Sequence, residues 1–255
     1  MIRVGIIGGL GKMGQETVNA VTQEADMEVG AIIDAVKIGE TVKIGEKEYT
    51  VYKGIDDVKD KIDMLIDFTG PQSVKKNIDT ALALSIDMIV GSTGLLKEDI
   101  AEIKSKTEKG NSKVFIIPNF AIGAVLMMEF AKMAAKYMNE AEIIEYHHPA
   151  KLDAPSGTAV KTAELIREAK AARPEVKGTE LLPGARGAVV DDINIHSVRL
   201  NGYVASQEVI FGGLGQTLTI RHDSINRESF MPGVIMAVRN MNKIGGFTYG
   251  LENIL

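Results

Sequence analysis

One short segment near the middle of the chain carries the residues best suited to chemistry. Residues 145–158 read EYHHPAKLDAPSGT and contain two of the four histidines, a lysine and two acids. An apolar-periodic run follows at once, so the Ser-Gly-Thr turn is predicted to open a helix with Ser156 as its N-cap. The unpaired N–H groups at a helix start favour a carboxylate or phosphate. A cation and two imidazoles beside such a site indicate that a small acid is bound there and a proton is moved.

The adjacent histidines also allow other interpretations. Either could be a surface residue, or one could be a core residue with satisfied ring nitrogens. Metal binding is disfavoured, because neighbours on a strand point to opposite faces and the chain has no cysteine and no HExxH spacing. We therefore expect no metal site, and we prefer substrate binding with proton transfer.

Length and composition bound the class of protein. The chain has 255 residues, enough for one large domain or two ordinary ones. A net charge of −5 without a basic run argues against a nucleic-acid partner. No apolar run approaches a membrane span, the N-terminus does not read as a signal peptide, and the absence of cysteine weakly favours a reducing compartment. We expect a cytoplasmic protein with no membrane partner.

The N-terminal residues predict a dinucleotide-binding βαβ unit. A buried-strand pattern at residues 2–7 runs into the turn Gly8-Gly9-Leu10-Gly11-Lys12-Met13-Gly14, and a helix is predicted over residues 15–25. A second strand, 28–33, ends in Asp34, about 20 residues after the glycines, where a carboxylate would accept hydrogen bonds from the adenosine ribose. A glycine-rich turn alone is a weak signal, and Asp34 could be a strand-end residue or a helix cap. The strand–turn–helix–strand order favours the dinucleotide interpretation.

Strands followed by helices continue to about residue 120. Strands are predicted at 64–68, 87–90 and 113–117, and the last two run into Gly91-Ser92-Thr93-Gly94 and Pro118-Asn119-Phe120-Ala121. This alternation favours a doubly wound parallel sheet of α/β class. Ligands bind at the carboxyl ends of such strands, so these turns are candidate cofactor contacts.

The second half has a different pattern, typical of an α+β domain with a mixed or antiparallel sheet. Its predicted strands are 142–146, 193–199, 203–211 and 216–222, and its predicted helices are 158–172 and 224–242. We therefore predict a dinucleotide-binding domain of residues 1–120 and 229–255 and a substrate domain of residues 121–228. Arg199, Arg221 and Arg227 could each pair with a carboxylate or be ordinary surface residues. Arg227, predicted to start the last helix, is the preferred extra substrate contact.

Taken together, these motifs resemble the dihydrodipicolinate reductase family over essentially the whole chain. The most specific match is the Glu-x-His-His-x-x-Lys-x-Asp-Ala-Pro-Ser-Gly-Thr run at residues 145–158, joined by the glycine turn, residues 67–71, 91–94 and 118–121. The resemblance implies a Rossmann-type sheet plus an α+β substrate and oligomerisation domain with a mixed sheet. It also implies reduction of the dihydrodipicolinate or 4-hydroxy-tetrahydrodipicolinate ring to tetrahydrodipicolinate in lysine biosynthesis, and a homotetramer.

The same resemblance implies roles for individual residues. His147 would exchange a proton with the substrate, a small cyclic dicarboxylate, and Lys151 would donate one. His148 would contact the substrate, and the Gly157-Thr158 turn would bind a carboxylate. The implied cofactor contacts are Gly8, Gly9, Leu10, Gly11, Lys12, Met13, Asp34, Gly91, Ser92, Thr93, Pro118, Asn119, Phe120 and Ala121.

The cofactor could be NADH, NADPH or both. Asp34 should accept hydrogen bonds from a ribose diol and repel a 2′-phosphate. Many family members place an arginine directly after this acid, whereas this chain has Ala35, which favours NADH. Because Lys12 and Lys37 could still neutralise a phosphate, we predict dual use with NADH at least as good.

Two other functions fit part of the sequence. Another two-domain NAD-dependent amino-acid dehydrogenase would share the first domain but has no reason to carry residues 145–158. A non-enzymatic NADH-sensing protein would need a DNA- or protein-binding appendage, and we expect no segment left over to supply one.

Overall fold

The alternation of strands and helices in the first half is present in the computed structural model, which describes residues 1–92, 94–170 and 179–255. Contacts divide the chain into two units, residues 1–120 with 230–255 and residues 121–229. None of the helices in the described ranges is long and apolar enough to cross a membrane. The predicted cofactor contact Thr93 and the last residues of the helix predicted over 158–172 lie outside the described residues.

The first unit contains a largely parallel sheet. Its strands are β1 (Ile2–Ile7), β2 (Met27–Ile33), β3 (Thr41–Ile44), β4 (Lys47–Tyr52), β5 (Met64–Asp67), β6 (Asp87–Val90), β7 (Val114–Ile116) and β13 (Phe247–Tyr249). They lie in the order β13-β7-β6-β5-β1-β2-β4-β3, and only the β3–β4 hairpin pairs antiparallel among these strands. Every residue of β5 is buried, so both faces of the sheet are covered there, as in doubly wound folds.

Three of the four α-helices given below for this unit each follow a strand of its sheet. They are α1 (Lys12–Gln23), α2 (Val74–Ala83), α3 (Lys97–Thr107) and α6 (Met231–Asn240), with short 3-10 helices at Ile55–Asp57, Lys59–Lys61 and Leu251–Ile254. α1 begins three residues before the predicted position of 15, inside the glycine turn. The reason is that Gly8 adopts a left-handed φ of 76° and its carbonyl accepts a 3.0 Å hydrogen bond from the Gly11 N–H, which tightens the turn.

The second unit is built on a mixed five-stranded sheet. Its strands are β8 (Glu140–His147), β9 (Ala188–Val190), β10 (Ile193–Arg199), β11 (Ala205–Gly213) and β12 (Gln216–Ser224), and its helices are α4 (Ile122–Ala134) and α5 (Gly157–Ala169). The order is β12-β11-β8-β10-β9, in which β8 and β10 are parallel and the other neighbours antiparallel. The predicted fold class, a Rossmann-type sheet plus an α+β domain with a mixed sheet, is therefore confirmed.

Both helices of the second unit lie on one face of its sheet. Thr162 of α5 accepts a 2.8 Å hydrogen bond from Gln207 of β11. Gln207 pairs with His222 of β12, and a Cβ on Gly123 of α4 would lie 2.5 Å from the His222 ring. Because side chains alternate along a strand, the opposite face carries Tyr146 and the two side chains in contact with it, Glu208 and Arg221.

The predicted helix over residues 224–242 is wrong in its first part. β12 continues to Ser224, which pairs with Ala205 of β11. A 3-10 helix follows at Arg227–Phe230, and α6 begins at Met231 with Pro232 in its first turn, where a missing N–H costs nothing. Arg227 therefore lies in a 3-10 turn and does not start an α-helix.

Candidate active site

The segment 145–158 is organised around the carboxylate of Glu145, which is fully buried. Parallel pairing of β8 with β10 places Ser197 opposite Glu145 and Arg199 opposite His147. The Nη1 and Nη2 atoms of Arg199 donate to the two carboxylate oxygens of Glu145, each at 2.8 Å. This two-point, charge-assisted pair fixes the orientation of the carboxylate as well as its charge.

His147 lies two residues further along β8, on the same face as Glu145. Its Nδ1 atom is 2.5 Å from the Oε2 atom of Glu145, and its side chain is 14% exposed. Burial by itself raises the pKa of Glu145, but hydrogen bonds from His147, Arg199 and Ser197 outweigh burial and lower that pKa to about 2. The imidazole therefore faces an ionised carboxylate at neutral pH.

The helix predicted after the Ser-Gly-Thr turn is α5, and Ser156 is its N-cap as predicted. The Ser156 hydroxyl accepts a 3.2 Å hydrogen bond from the Ala159 N–H. The Ser156 N–H in turn donates to Glu145 at 3.3 Å, so the helix start is attached to the buried carboxylate. Gly157 is exposed with open space beside it, and no acid lies in the first turn. The first turn of α5 is thus accessible to an anion.

Lys151 and His148 lie in the loop that joins β8 to α5. The Lys151 N–H donates to the His148 carbonyl at 3.1 Å, which closes a turn directly after the strand. The Lys151 ammonium contacts both oxygens of Asp153 at 2.8 and 2.9 Å, and this hydrogen bond lowers the pKa of Asp153. The Asp153 carbonyl accepts a 2.8 Å hydrogen bond from Arg199, so the loop is tied to the Glu145 cluster.

The three candidate arginines lie in different surroundings. Arg199 joins the cluster around Glu145, whereas Arg221 pairs with Asp223 and Glu208. Arg227 is exposed in its 3-10 helix, and the hydrogen bonds found around Glu145 in the described chain do not include it. Arg227, the arginine preferred from the sequence, is therefore not the one that lies in this cluster. The spacing of Glu145 and His147, two residues apart on a strand, was the signal that could have drawn attention to Glu145.

In the first unit, the glycine turn presents the start of α1. A Cβ on Gly14 would lie 2.1 Å from the Gly8 carbonyl oxygen, and one on Gly9 would lie 2.7 Å from the Ile32 side chain. These close approaches require glycine. The N-cap of α1 is Gly11, which provides no side-chain cap, and no acid lies in the first turn with Lys12 and Met13. The turn fits the pyrophosphate of a dinucleotide, because the N–H groups of the first turn can donate to it.

Asp34 lies at the end of β2 beside this turn. Its Oδ2 atom accepts from the Leu10 N–H at 3.0 Å and its Oδ1 atom accepts from the Val36 N–H at 3.3 Å. Each carboxylate oxygen has more than one acceptor position, so hydroxyls of a ribose can still be bound. The residues fit the adenosine half of a dinucleotide.

The turns after β5, β6 and β7 meet at the carboxyl edge of the same sheet. Fully buried Asp67 accepts hydrogen bonds of 2.6 to 2.7 Å from Thr69, Asn77 and Ser92, and so joins the turn after β5 to the turn after β6. The rings of Phe68 and Phe120 lie 5.6 Å apart, and a Cβ on Gly91 would lie 2.3 Å from Phe68.

The remaining predicted cofactor contacts divide between the units. Pro118, Asn119 and Phe120 belong to the first unit, and Ala121 belongs to the second, where it is buried and precedes α4. Across residues 1–92, 94–170 and 179–255, no group of three or more histidines, aspartates or glutamates is arranged to hold a metal ion.

Comparison with known proteins gives one consistent result. Residues 2–120 match the sequence profile described as dihydrodipicolinate reductase, N-terminus, and residues 123–255 match the profile described as dihydrodipicolinate reductase, C-terminus. The chain is 47% identical over 267 residues to 4-hydroxy-tetrahydrodipicolinate reductase of Desulfitobacterium hafniense, covering 100% of this chain and 98% of that one. It is 48% identical over 266 residues to the enzyme of the same name from Shouchella clausii, covering 100% of both.

Solved structures agree with the sequence matches. A dipicolinate-bound dihydrodipicolinate reductase from Paenisporosarcina sp. TG-14 superposes with a TM-score of 0.86 at 43% identity and covers 100% of both chains. A probable dehydrogenase from Thermotoga maritima has a TM-score of 0.67 at 14% identity, covering 99% of this chain and 92% of that one. The second likeness extends only to the fold.

Proposed function

Because this chain belongs to the dihydrodipicolinate reductase family, we propose that its two units divide the reaction between them. The chain is an NAD(P)H-dependent oxidoreductase that reduces the ring of 4-hydroxy-tetrahydrodipicolinate to tetrahydrodipicolinate in lysine biosynthesis. Residues 1–120 and 229–255 are proposed to hold the cofactor, and residues 121–228 to bind and protonate the substrate.

The fully buried, ionised Glu145 beside His147, attached to the accessible start of α5, is the observation that carries this proposal. The substrate is a small cyclic dicarboxylate. One carboxylate is bound by the backbone N–H groups of Gly157 and Thr158, where the partial positive charge of a helix start favours an anion. His148 and Arg227 are proposed as further substrate contacts, Arg227 with less support because it lies outside the hydrogen bonds around Glu145.

Lys151 has two roles in this proposal. Its ammonium already pairs with the carboxylate of Asp153. A substrate carboxylate can replace that partner without leaving the Asp153 carboxylate buried and unpaired, because the Asp153 side chain is largely exposed. Once paired with the substrate, the lysine lies beside the ring and can donate a proton. Its cationic form is suited to both tasks.

His147 is proposed to move the proton that the ring must gain. Once the 4-hydroxyl has left as water, NAD(P)H, when bound, would supply a hydride to ring carbon C4, and the neighbouring carbon would take a proton. The imidazole at the end of β8 can deliver that proton, and the ionised Glu145 stabilises the imidazolium from which it comes. Positioned proton transfer of this kind accelerates a reaction by about 10²–10⁴-fold.

For the cofactor, we propose that NADH serves at least as well as NADPH. Asp34 at the end of β2 is ready to accept hydrogen bonds from a ribose diol, and Ala35 offers no charge to a 2′-phosphate. The exposed Lys12 and Lys37 allow NADPH to be used as well.

The assembly is proposed to be a cytoplasmic homotetramer. Both helices of the second unit cover one face of its sheet, and the opposite face carries Tyr146, Glu208 and Arg221. A second copy of this chain packed on that face would cover it. Light scattering of the purified protein tests this, and a monomer would contradict it.

The reductase assignment is tested by following NADH and NADPH oxidation at 340 nm. Substrate is generated in place by coupling pyruvate and aspartate semialdehyde through the synthase that precedes this reaction, and omission of the synthase is the control. Oxidation that depends on the synthase is expected, with NADH at least as efficient as NADPH. A folded protein that binds NADH without turnover would contradict the assignment and favour a sensing role, whereas better efficiency with NADPH would contradict only the Asp34 argument.

A further inference from the structure

We infer that Glu145 is a positioning residue that holds the proton of His147 on Nδ1 and leaves Nε2 as the nitrogen that exchanges a proton with the substrate. The inference deepens the proposed function and rests on His147 being the proton carrier. Glu145 is 0% exposed and therefore acts through the imidazole.

One hydrogen lies between the side chains of Glu145 and His147. An ionised carboxylate has only acceptor positions, so the hydrogen in the 2.5 Å contact between Glu145 Oε2 and His147 Nδ1 belongs to the imidazole. In a neutral imidazole only one nitrogen carries hydrogen, and a proton on Nδ1 leaves the Nε2 lone pair open. This tautomer accepts a proton on Nε2 and releases it there.

Two further groups hold the carboxylate of Glu145 in place. Arg199 occupies both oxygens of Glu145, and the Ser156 N–H takes a further position on Oε1. Arginine stays charged at all relevant pH values, so the pairing holds Glu145 ionised throughout catalysis. Because Ser156 is the N-cap of α5, the same carboxylate also aligns the imidazole with the start of that helix. Carboxylates that orient a histidine in this way are worth large factors in rate.

A second cluster on the opposite face of the same sheet provides the control. Glu142 of β8 accepts from His196 Nε2 at 2.9 Å and pairs with Arg186, so the three residue types are the same. However, in the single chain Glu142 is 39% exposed and Arg186 61% exposed, and the cluster lies on the sheet face away from Glu145. Glu142→Gln is therefore the matched variant of Glu145→Gln, with the same change on the same strand.

The kinetic test compares these two variants with the wild type. Glu145→Gln is expected to lower kcat by roughly 10²–10³-fold, because an amide can donate to Nδ1 and so favours the wrong tautomer. The dissociation constant of NADH should stay unchanged in both variants, and Glu142→Gln should retain wild-type kcat. Because Glu142 lies on the sheet face proposed to be covered in the tetramer, kcat is compared only between variants that light scattering shows to have the wild-type assembly. An unchanged kcat in Glu145→Gln, or an equal loss in both variants, would overturn the inference.

A spectroscopic test reads the tautomer directly and requires no turnover. In long-range ¹H–¹⁵N spectra of protein labelled on its histidines, with His147→Ala used for assignment, His147 should carry hydrogen on Nδ1 in the wild type and on Nε2 in Glu145→Gln. A neutral wild-type ring with its proton on Nε2 would contradict the inference that Glu145 holds the proton on Nδ1. The wild-type spectrum, recorded at a pH at which the ring is neutral, decides the matter even if Glu145→Gln does not fold. Lack of turnover by the wild type would contradict the proposed function, and the spectrum would still decide this inference.

Discussion

Two fully buried carboxylates, one in each unit, are satisfied in different ways. Glu145 pairs with the charged Arg199 and a titratable imidazole. Asp67 is held by neutral donors, namely the backbone and hydroxyl of Thr69, the amide of Asn77 and the hydroxyl of Ser92. Burial of an acid demands hydrogen bonds in both cases, but the kind of donor differs with the task. Charged and titratable donors suit proton transfer, whereas neutral donors from two turns suit the shaping of a binding edge.

The largest effect is expected from removing His147, the imidazole that contacts Glu145. His147→Ala should lower kcat by about 10²–10⁴-fold, because it removes the proposed proton carrier. The dissociation constant of NADH, measured by fluorescence titration, should stay near the wild-type value because His147 belongs to the second unit. Unchanged turnover would remove His147 from the mechanism and reduce Glu145 to a structural residue.

The second prediction uses the pKa of Glu145 itself. Its folded value of about 2 lies below its ordinary value of 4.5, so the resulting stability is fully present above pH 4.5 and is lost as the pH falls through about 2. The difference in unfolding free energy between wild type and Glu145→Gln should therefore shrink by about 3 kcal/mol between pH 6 and pH 2. Urea unfolding at several pH values measures it. A difference independent of pH would show that the carboxylate is not held ionised.

The smallest expected effect concerns Asp67. Asp67→Asn replaces one acceptor with an amide donor that faces other donors, so the turns after β5 and β6 should loosen. We expect the dissociation constant of NADH to rise by about tenfold, equivalent to the cost of one poorly satisfied buried donor. At saturating NADH, kcat should change little, since Asp67 takes no part in proton transfer. A large fall in kcat with normal NADH binding would contradict the conclusion that Asp67, unlike Glu145, takes no part in proton transfer.

Local signals predicted much of the fold. The strand, glycine turn and helix at the N-terminus were evident because close packing there demands glycine, and Ser156 was recognisable as an N-cap from the apolar periodicity that follows it. α4 was missed because its residues are apolar almost throughout, so no polar face marks it, and its N-cap, Ala121, has no capping side chain. The β3–β4 hairpin and the short strands β9 and β13 were also missed, because few of their residues are buried and no run of buried apolar residues marks them, unlike the equally short β5 and β7.

The sequence by itself determined which residue types are available for chemistry and where the chain turns. It placed His147, Lys151 and the helix start of α5 within fourteen residues, because local spacing and capping act over a few bonds. Only the tertiary structure decided that Arg199 is the partner of Glu145. The two residues are 54 positions apart, and their meeting depends on the parallel register of β8 with β10. Because parallel strands are joined by a long crossover and not by a tight turn, no local turn fixes their register, and packing in the folded sheet decides it.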